Sequence, residues 1–163
     1  MRPPIALCVM VAATLAASGA HAATAEVRFV NPEKFTDAGK RHQYVDRDTV
    51  LGGLKEYLVK EAASLLPADQ KLVIDVTDVD LAGQYDPRQL ASREVRIVKE
   101  TYPPRIDLDF RLLAADGSVL KEGRRNLRDP AFLTSPSLGF DNDYLRYEKA
   151  MLDEWMKREF VKR

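Results

Sequence analysis

The stretch RIDLDFRLLAADGSVLKEGRRNLRD, residues 105–129, constrains the fold more than any other segment. Two alternating runs flank Asp116-Gly117, a dipeptide that favours a two-residue hairpin turn, so the chain must contain antiparallel β-structure. Pairing Ala115 with Ser118 sets Arg111 opposite Glu122 and Asp109 opposite Arg124. A slip of one residue would set Arg111 against Lys121, so cross-strand charge selects the first register.

The rest of the chain supplies what such a hairpin packs with. AEVRFV, residues 25–30, alternates as a first strand and stops at Asn31-Pro32. DTVLGGLKEYLVKEAASLL reads as a helix capped by Asp48 and ended before Pro67, with Leu51, Leu54, Leu58, Ala62 and Leu65 forming its buried stripe. KLVIDVTDVDLA is a second strand with Leu72, Ile74 and Val76 on one face. Strict alternation would bury Asp78 and Asp80 on that face, at a cost in desolvation. A bulge near Thr77 or Asp78 avoids this and turns Val79 and Leu81 inward.

GQYDPRQ reads as a loop, and REVRIVKE alternates enough for a further strand, interrupted by Tyr102-Pro103-Pro104. After the loop DPAFLTSPSLGFDN, residues 143–160 are helical, with Leu145, Leu152, Trp155 and Met156 on one side. The coarse order β-α-β-β-β-α predicts an α+β domain: one mostly antiparallel four-stranded sheet with two helices on one face.

The first segment reads as an address. Arg2 and the amino terminus precede an apolar core over residues 5–17, and Ala20-His21-Ala22 follows. This is the pattern of a secretory signal peptide, too short to span a bilayer. Residues 1–22 are therefore expected to be removed, with a cut after Ala25 as the alternative, leaving residues 23–163 as a single soluble domain that is periplasmic or secreted. Cys8, the one cysteine, falls inside the apolar core behind Leu7 rather than at the cleavage point, which argues against lipidation. The mature chain then has no thiol for a disulfide, a zinc-thiolate site or a nucleophile. His21 leaves with the leader, and His42 remains in the polar run DAGKRHQYVDRD, where it reads as a loop residue.

Only Arg2 among charged residues is lost, so 24 basic side chains remain against 25 acidic ones. That balance gives no electrostatic reason to bind nucleic acid or an anionic membrane. No later apolar run suggests membrane insertion of the mature chain.

Chemistry has one candidate, the cluster Asp75, Asp78 and Asp80, with Asp86 close behind. D-x-x-D-x-D is not the ligand spacing of a helix-loop-helix calcium site. Paired-carboxylate hydrolysis needs acids on opposite sides of a substrate, which strand neighbours do not supply by themselves. The preferred reading is structural, with Asp78 accepting backbone hydrogen bonds. The alternative is a hydrolase or metal-dependent enzyme using Asp78, Asp80 and Asp86. No G-x-S-x-G, G-x-x-x-x-G-K-[ST] or G-x-G-x-x-G occurs, so nucleophile elbows and phosphate cradles have no support and no cofactor is expected.

A second anomaly is structural. Glu148 falls near the middle of the apolar stripe of the last helix. In the hairpin register Arg125 lies opposite Leu108, on the face that should meet the helices. The two misplaced charges are explained together as a buried ion pair, Glu148 with Arg125, with Lys121 as the alternative base.

Four motifs then carry a resemblance: VRFVNPEKFTDAG, VTDVDLAG, YPPRIDLDFRL with its DG turn and GRRNLRD, and YEKAMLDEW. With these the chain resembles a proteobacterial exported family known only as domain of unknown function 3016. The resemblance implies export and a small soluble domain, with no activity, cofactor or catalytic residue to carry over. The element order also looks like that of periplasmic auxiliary subunits of lipid and toxin exporters. The functional expectation is a non-catalytic binding or accessory module whose partner is another cell-envelope protein; nothing in the sequence specifies an oligomeric state.

Overall fold

The computed structural model describes residues 23–38, 46–85, 96–134 and 143–161. Residues 1–22, and with them the segment expected to be a leader, lie outside the described residues. The strands are β1 (Thr24–Phe29), β2 (Lys71–Asp80), β3 (Gln84–Tyr85), β4 (Arg96–Ile97), β5 (Arg105–Leu113) and β6 (Val119–Arg128). The helices are α1 (Arg47–Leu65) and α2 (Arg146–Phe160), and a single 3-10 turn covers Pro32–Lys34. The main sheet has the order β1-β2-β5-β6; β1 runs parallel to β2, and the other pairs are antiparallel. The architecture is α+β, as the hairpin and flanking helices imply. No described helix is long and apolar enough to cross a membrane.

One face of the sheet makes the core. Leu72, Ile74 and Val76 of β2 lie beside Leu112, Phe110 and Leu108 of β5, and all six are buried. Leu54 and Leu58 of α1 and Leu152, Trp155 and Met156 of α2 complete the same cluster. The edge of the Phe110 ring meets Trp155 and Phe160, with centroids 5.8 and 5.6 Å away. Each fully buried side chain of this size stabilises by about 1.5–3 kcal/mol, so this layer holds the helices to the sheet.

The register of β2 shifts between Val76 and Asp78. The extra residue, Thr77, reverses the alternation, so Val79 and Leu81 are buried and the aspartates turn to the other face. That outcome follows from the cost of burying two carboxylates.

Several local expectations need correction. The cap of α1 is Asp46, not Asp48, because the Asp46 carboxylate reaches the Thr49 N–H at 2.9 Å and its hydroxyl at 2.7 Å. The last helix starts at Arg146 rather than Asp143, whose carboxylate instead accepts from the Leu145 N–H at 2.8 Å. REVRIVKE does not join the main sheet. Arg96 and Ile97 pair with Tyr85 and Gln84, within the segment read as a loop, as a separate two-stranded ribbon.

The hairpin turn also differs. The Ala114 N–H donates to the Ser118 carbonyl and the Gly117 N–H to the Ala114 carbonyl, each at 2.9 Å, which closes a three-residue loop over Ala115, Asp116 and Gly117. Gly117 takes φ 82°, and the Asp116 carboxylate accepts from the Ser118 N–H at 2.9 Å. A type I turn followed by a left-handed glycine is the usual three-residue solution. Its one-residue offset is cancelled by Leu120, left over between the Leu113–Val119 and Leu112–Lys121 pairs. Beyond this bulge Arg111 does oppose Glu122, and Asp109 opposes Arg124.

Candidate functional site

The bulge in β2 creates the first polar cluster. Asp78 Oδ1 accepts from the Thr36 N–H at 2.7 Å and from the Val79 N–H at 3.0 Å. Its Oδ2 accepts from the Thr36 hydroxyl at 2.8 Å and from Arg105 Nη2 at 3.2 Å. The same Arg105 nitrogen lies 3.8 Å from Asp80 Oδ2. A guanidinium thus stands between the two carboxylates, and the ensemble ties the segment after the 3-10 turn to the sheet. Asp86, the third member of the sequence-derived cluster, lies outside the described residues, as does His42. Asp75 belongs to another pair, with Arg28 Nε at 3.2 Å. Among the described residues no three His, Cys, Asp or Glu side chains are grouped so as to hold a metal ion.

The second cluster is buried. Glu148 is fully inaccessible, and its Oε1 accepts from the Ala82 N–H at 2.7 Å and from Arg96 Nη2 at 3.1 Å. The Arg96 guanidinium also stacks over the Tyr144 ring, 4.9 Å from its centroid. Burial pushes the Glu148 carboxyl above its ordinary range, and the charge and hydrogen bonds of Arg96 with the Ala82 N–H oppose that push. The arrangement pins the β3–β4 ribbon and the end of β2 to α2. A carboxylate so enclosed has no access to a substrate.

The partner assigned to Glu148 from sequence is therefore corrected. Arg125 does lie opposite Leu108, but its Nε and Nη2 reach the two carboxylate oxygens of Glu159 at 2.9 and 2.8 Å. Lys121 Nζ joins the same carboxylate at 2.7 Å. Glu159 follows Glu148 by three helical turns, about 16 Å along the axis, on nearly the same stripe. The face was legible and the position along it was not. Each glutamate takes the base nearest its own end of α2. Arg96, the residue that matters at Glu148, stood in a segment whose irregular pairing hid its direction. Thr36, Arg105 and Glu159 were also missed, since their roles arise from contacts distant in sequence.

The third feature is the face of the sheet that carries no helix among the described residues. Asp75 and Asp109 are directly opposed across β2 and β5. Like charges at that position destabilise unless neutralised. Arg28 takes Asp75, and Arg124 takes Asp109 through Nε and Nη2 at 2.8 and 3.1 Å, which holds the Asp109 carboxyl below its usual range. Exposed Arg111 stands among them, with Val73 buried between Arg111 and Glu26 as its cross-strand neighbours.

A family model described as Protein of unknown function (DUF3016) matches residues 23–158, most of the chain. No curated protein and no solved structure matches.

Proposed function

This chain belongs to the DUF3016 family, and on that premise we propose that it is an exported, non-catalytic accessory module of a proteobacterial envelope. In this reading the signal peptide, residues 1–22, is cleaved after Ala22. The mature domain works in the periplasm and binds another envelope protein on the helix-free face of its sheet.

The observation that carries the reading is the organisation of that face. Pairs of opposite charge, Arg28 with Asp75 and Arg124 with Asp109, are fixed at 3.2 and 2.8 Å on a rigid sheet around exposed Arg111. A surface with fixed charges of both signs selects partners by complementarity and speeds encounter more than it adds raw affinity. Supporting it, the family match begins at residue 23, immediately after the expected cleavage point. The oxygens of Asp78 are engaged by Thr36, Val79 and Arg105, in a structural role rather than a poised one.

Fractionation of the native host with N-terminal sequencing tests export, and site-specific photo-crosslinking tests the surface. A crosslinker at position 111 should capture one envelope protein that a crosslinker at position 55, on the outer side of α1, does not. A retained Met1, or identical capture from both positions, would refute the proposal.

A further inference from the structure

β6 is the outer strand of the sheet, and no described strand pairs with its far side. Its pairing with β5 fixes which backbone groups face outward. The Asp129 N–H donates to the Pro104 carbonyl at 3.4 Å, and in an antiparallel ladder such pairs recur at every second residue. Leu127, Arg125 and Gly123 therefore use their peptide groups on β5. Glu122, Arg124, Asn126 and Arg128 turn theirs to the outer edge, where the Arg124 carbonyl also accepts from Arg125 Nη1 at 2.8 Å and keeps its second lone pair for a neighbouring strand.

Charge then discriminates among possible partners. Among the described residues neither Glu122 nor Arg128 forms an ion pair within its own chain. A second copy approaching antiparallel about a twofold axis must match outward residues with outward residues. Setting Glu122 opposite the second copy's Arg124 brings Lys121 against its Arg125. Setting Glu122 opposite its Asn126 brings Arg124 against itself. Setting Glu122 opposite its Arg128 brings Lys121 opposite its Asp129 and Arg124 opposite its Asn126. The one like-charge meeting in this third register is Arg125 with its symmetry mate, and each of those is already held by Glu159 at 2.8 Å. Cross-strand pairs of opposite sign stabilise a ladder, and like pairs destabilise it. The half-exposed Val119 and Leu120 then fall beside the second copy's Pro130 and Ala131.

We propose that the protein self-associates through β6, antiparallel and centred on Arg125, with Glu122 facing the second copy's Arg128. The two four-stranded sheets become one continuous sheet, with the helices of both copies on the same side. The charged helix-free face is doubled, and the edge that would otherwise recruit foreign strands is closed. This inference does not rest on the accessory reading: a monomer that still crosslinks from position 111 would defeat the dimer alone.

Sedimentation equilibrium of the purified protein tests it, with circular dichroism to confirm folding of each variant. The wild type should show a monomer–dimer equilibrium. Glu122→Arg and Arg128→Glu should each weaken dimerisation by about tenfold or more, since each converts two opposite-charge pairs into like pairs. The double variant Glu122→Arg with Arg128→Glu restores the pairing with signs exchanged and should recover most of the affinity. A protein that stays monomeric at millimolar concentration overturns the proposal. So does a dimer indifferent to the single reversals, or a double variant weaker than both.

Discussion

The Glu148 carboxylate and the Arg96 guanidinium meet 3.1 Å apart inside the protein, joining α2 to a strand of two residues. Removing one member of such a pair strands the other charge, at a cost of about 3–5 kcal/mol. Glu148→Ala should show a loss of that size in urea melts. Glu154→Ala breaks an exposed pair with Arg158 on the same helix and should lose at most about 1 kcal/mol. Equal, small losses would contradict the structural role of Glu148.

The same carboxyl should shape the dependence of stability on pH. Its pKa in the folded protein is raised from the ordinary 4.5, chiefly by burial. A raised carboxyl binds its proton more tightly in the folded state. Below the unfolded value both states are protonated and the group contributes nothing. As pH rises from about 4.5 through the folded value, only the unfolded state ionises freely, so stability falls. Glu148→Gln should remove this downward slope in a series of urea melts above pH 4.5.

Glu159 should act with the opposite sign. Hydrogen bonds from Arg125, then from Lys121, hold its carboxyl down to about 2 from 4.5, against burial. The resulting stabilisation is complete above the unfolded value and is lost as pH falls from about 4.5 to about 2. A depressed carboxylate of this kind contributes about 2–3 kcal/mol at neutral pH. Glu159→Gln should be less stable at pH 7 and should lack much of the wild type's acid-side decline.

Asp78 is expected to be a structural anchor. Asp78→Ala leaves the Thr36 N–H and hydroxyl without their acceptor and takes away the nearer of the two carboxylates beside Arg105, with an expected loss of about 1–3 kcal/mol. Calcium should leave the melting temperature unchanged, whereas a ligand specific for the folded state at a hundred times its Kd adds about 2.7 kcal/mol. A calcium-induced rise of several degrees that Asp78→Asn abolishes would overturn the anchor role.

What could be read without coordinates was the part governed by neighbours in sequence and by period. Alternation located β2, β5 and β6, the 3.6-residue stripe located both helices, and the cost of buried aspartates placed the bulge beside Thr77. Cross-strand charge gave the right pairs in the hairpin even though its turn is longer, because Leu120 absorbs the offset. Asp48 directly precedes the apolar periodicity of α1, but the geometry of a cap needs an acceptor three residues before its donor, and Asp46 with Thr49 meets it. The partner of Glu148 was illegible for another reason. Helical period specifies a stripe but not which of two bases, about 16 Å apart along it, each glutamate will find.

Two glycines with nearly the same backbone conformation should respond differently to alanine. Gly117 has φ 82° in the hairpin turn, and nothing lies within 4 Å of the place a Cβ would occupy. Gly117→Ala should cost only the strain of a left-handed alanine, about 1–2 kcal/mol. Gly83 has φ 86°, and a Cβ there would stand 2.6 Å from the Ile97 carbonyl oxygen and 3.1 Å from Val98 Cα. Because these are backbone atoms, no side-chain rotation relieves the contact, and β4 must move. Arg96 is the residue before Ile97, so the displacement should draw its guanidinium away from Glu148. Gly83→Ala should therefore cost more than Gly117→Ala. It should also couple to Glu148→Ala, the double variant losing less than the sum of the singles, since both disrupt one contact. Gly117→Ala with Glu148→Ala should be additive. A cycle of urea melts measures both couplings, and additive losses for Gly83→Ala would mean that β4 is not what links Gly83 to the buried pair.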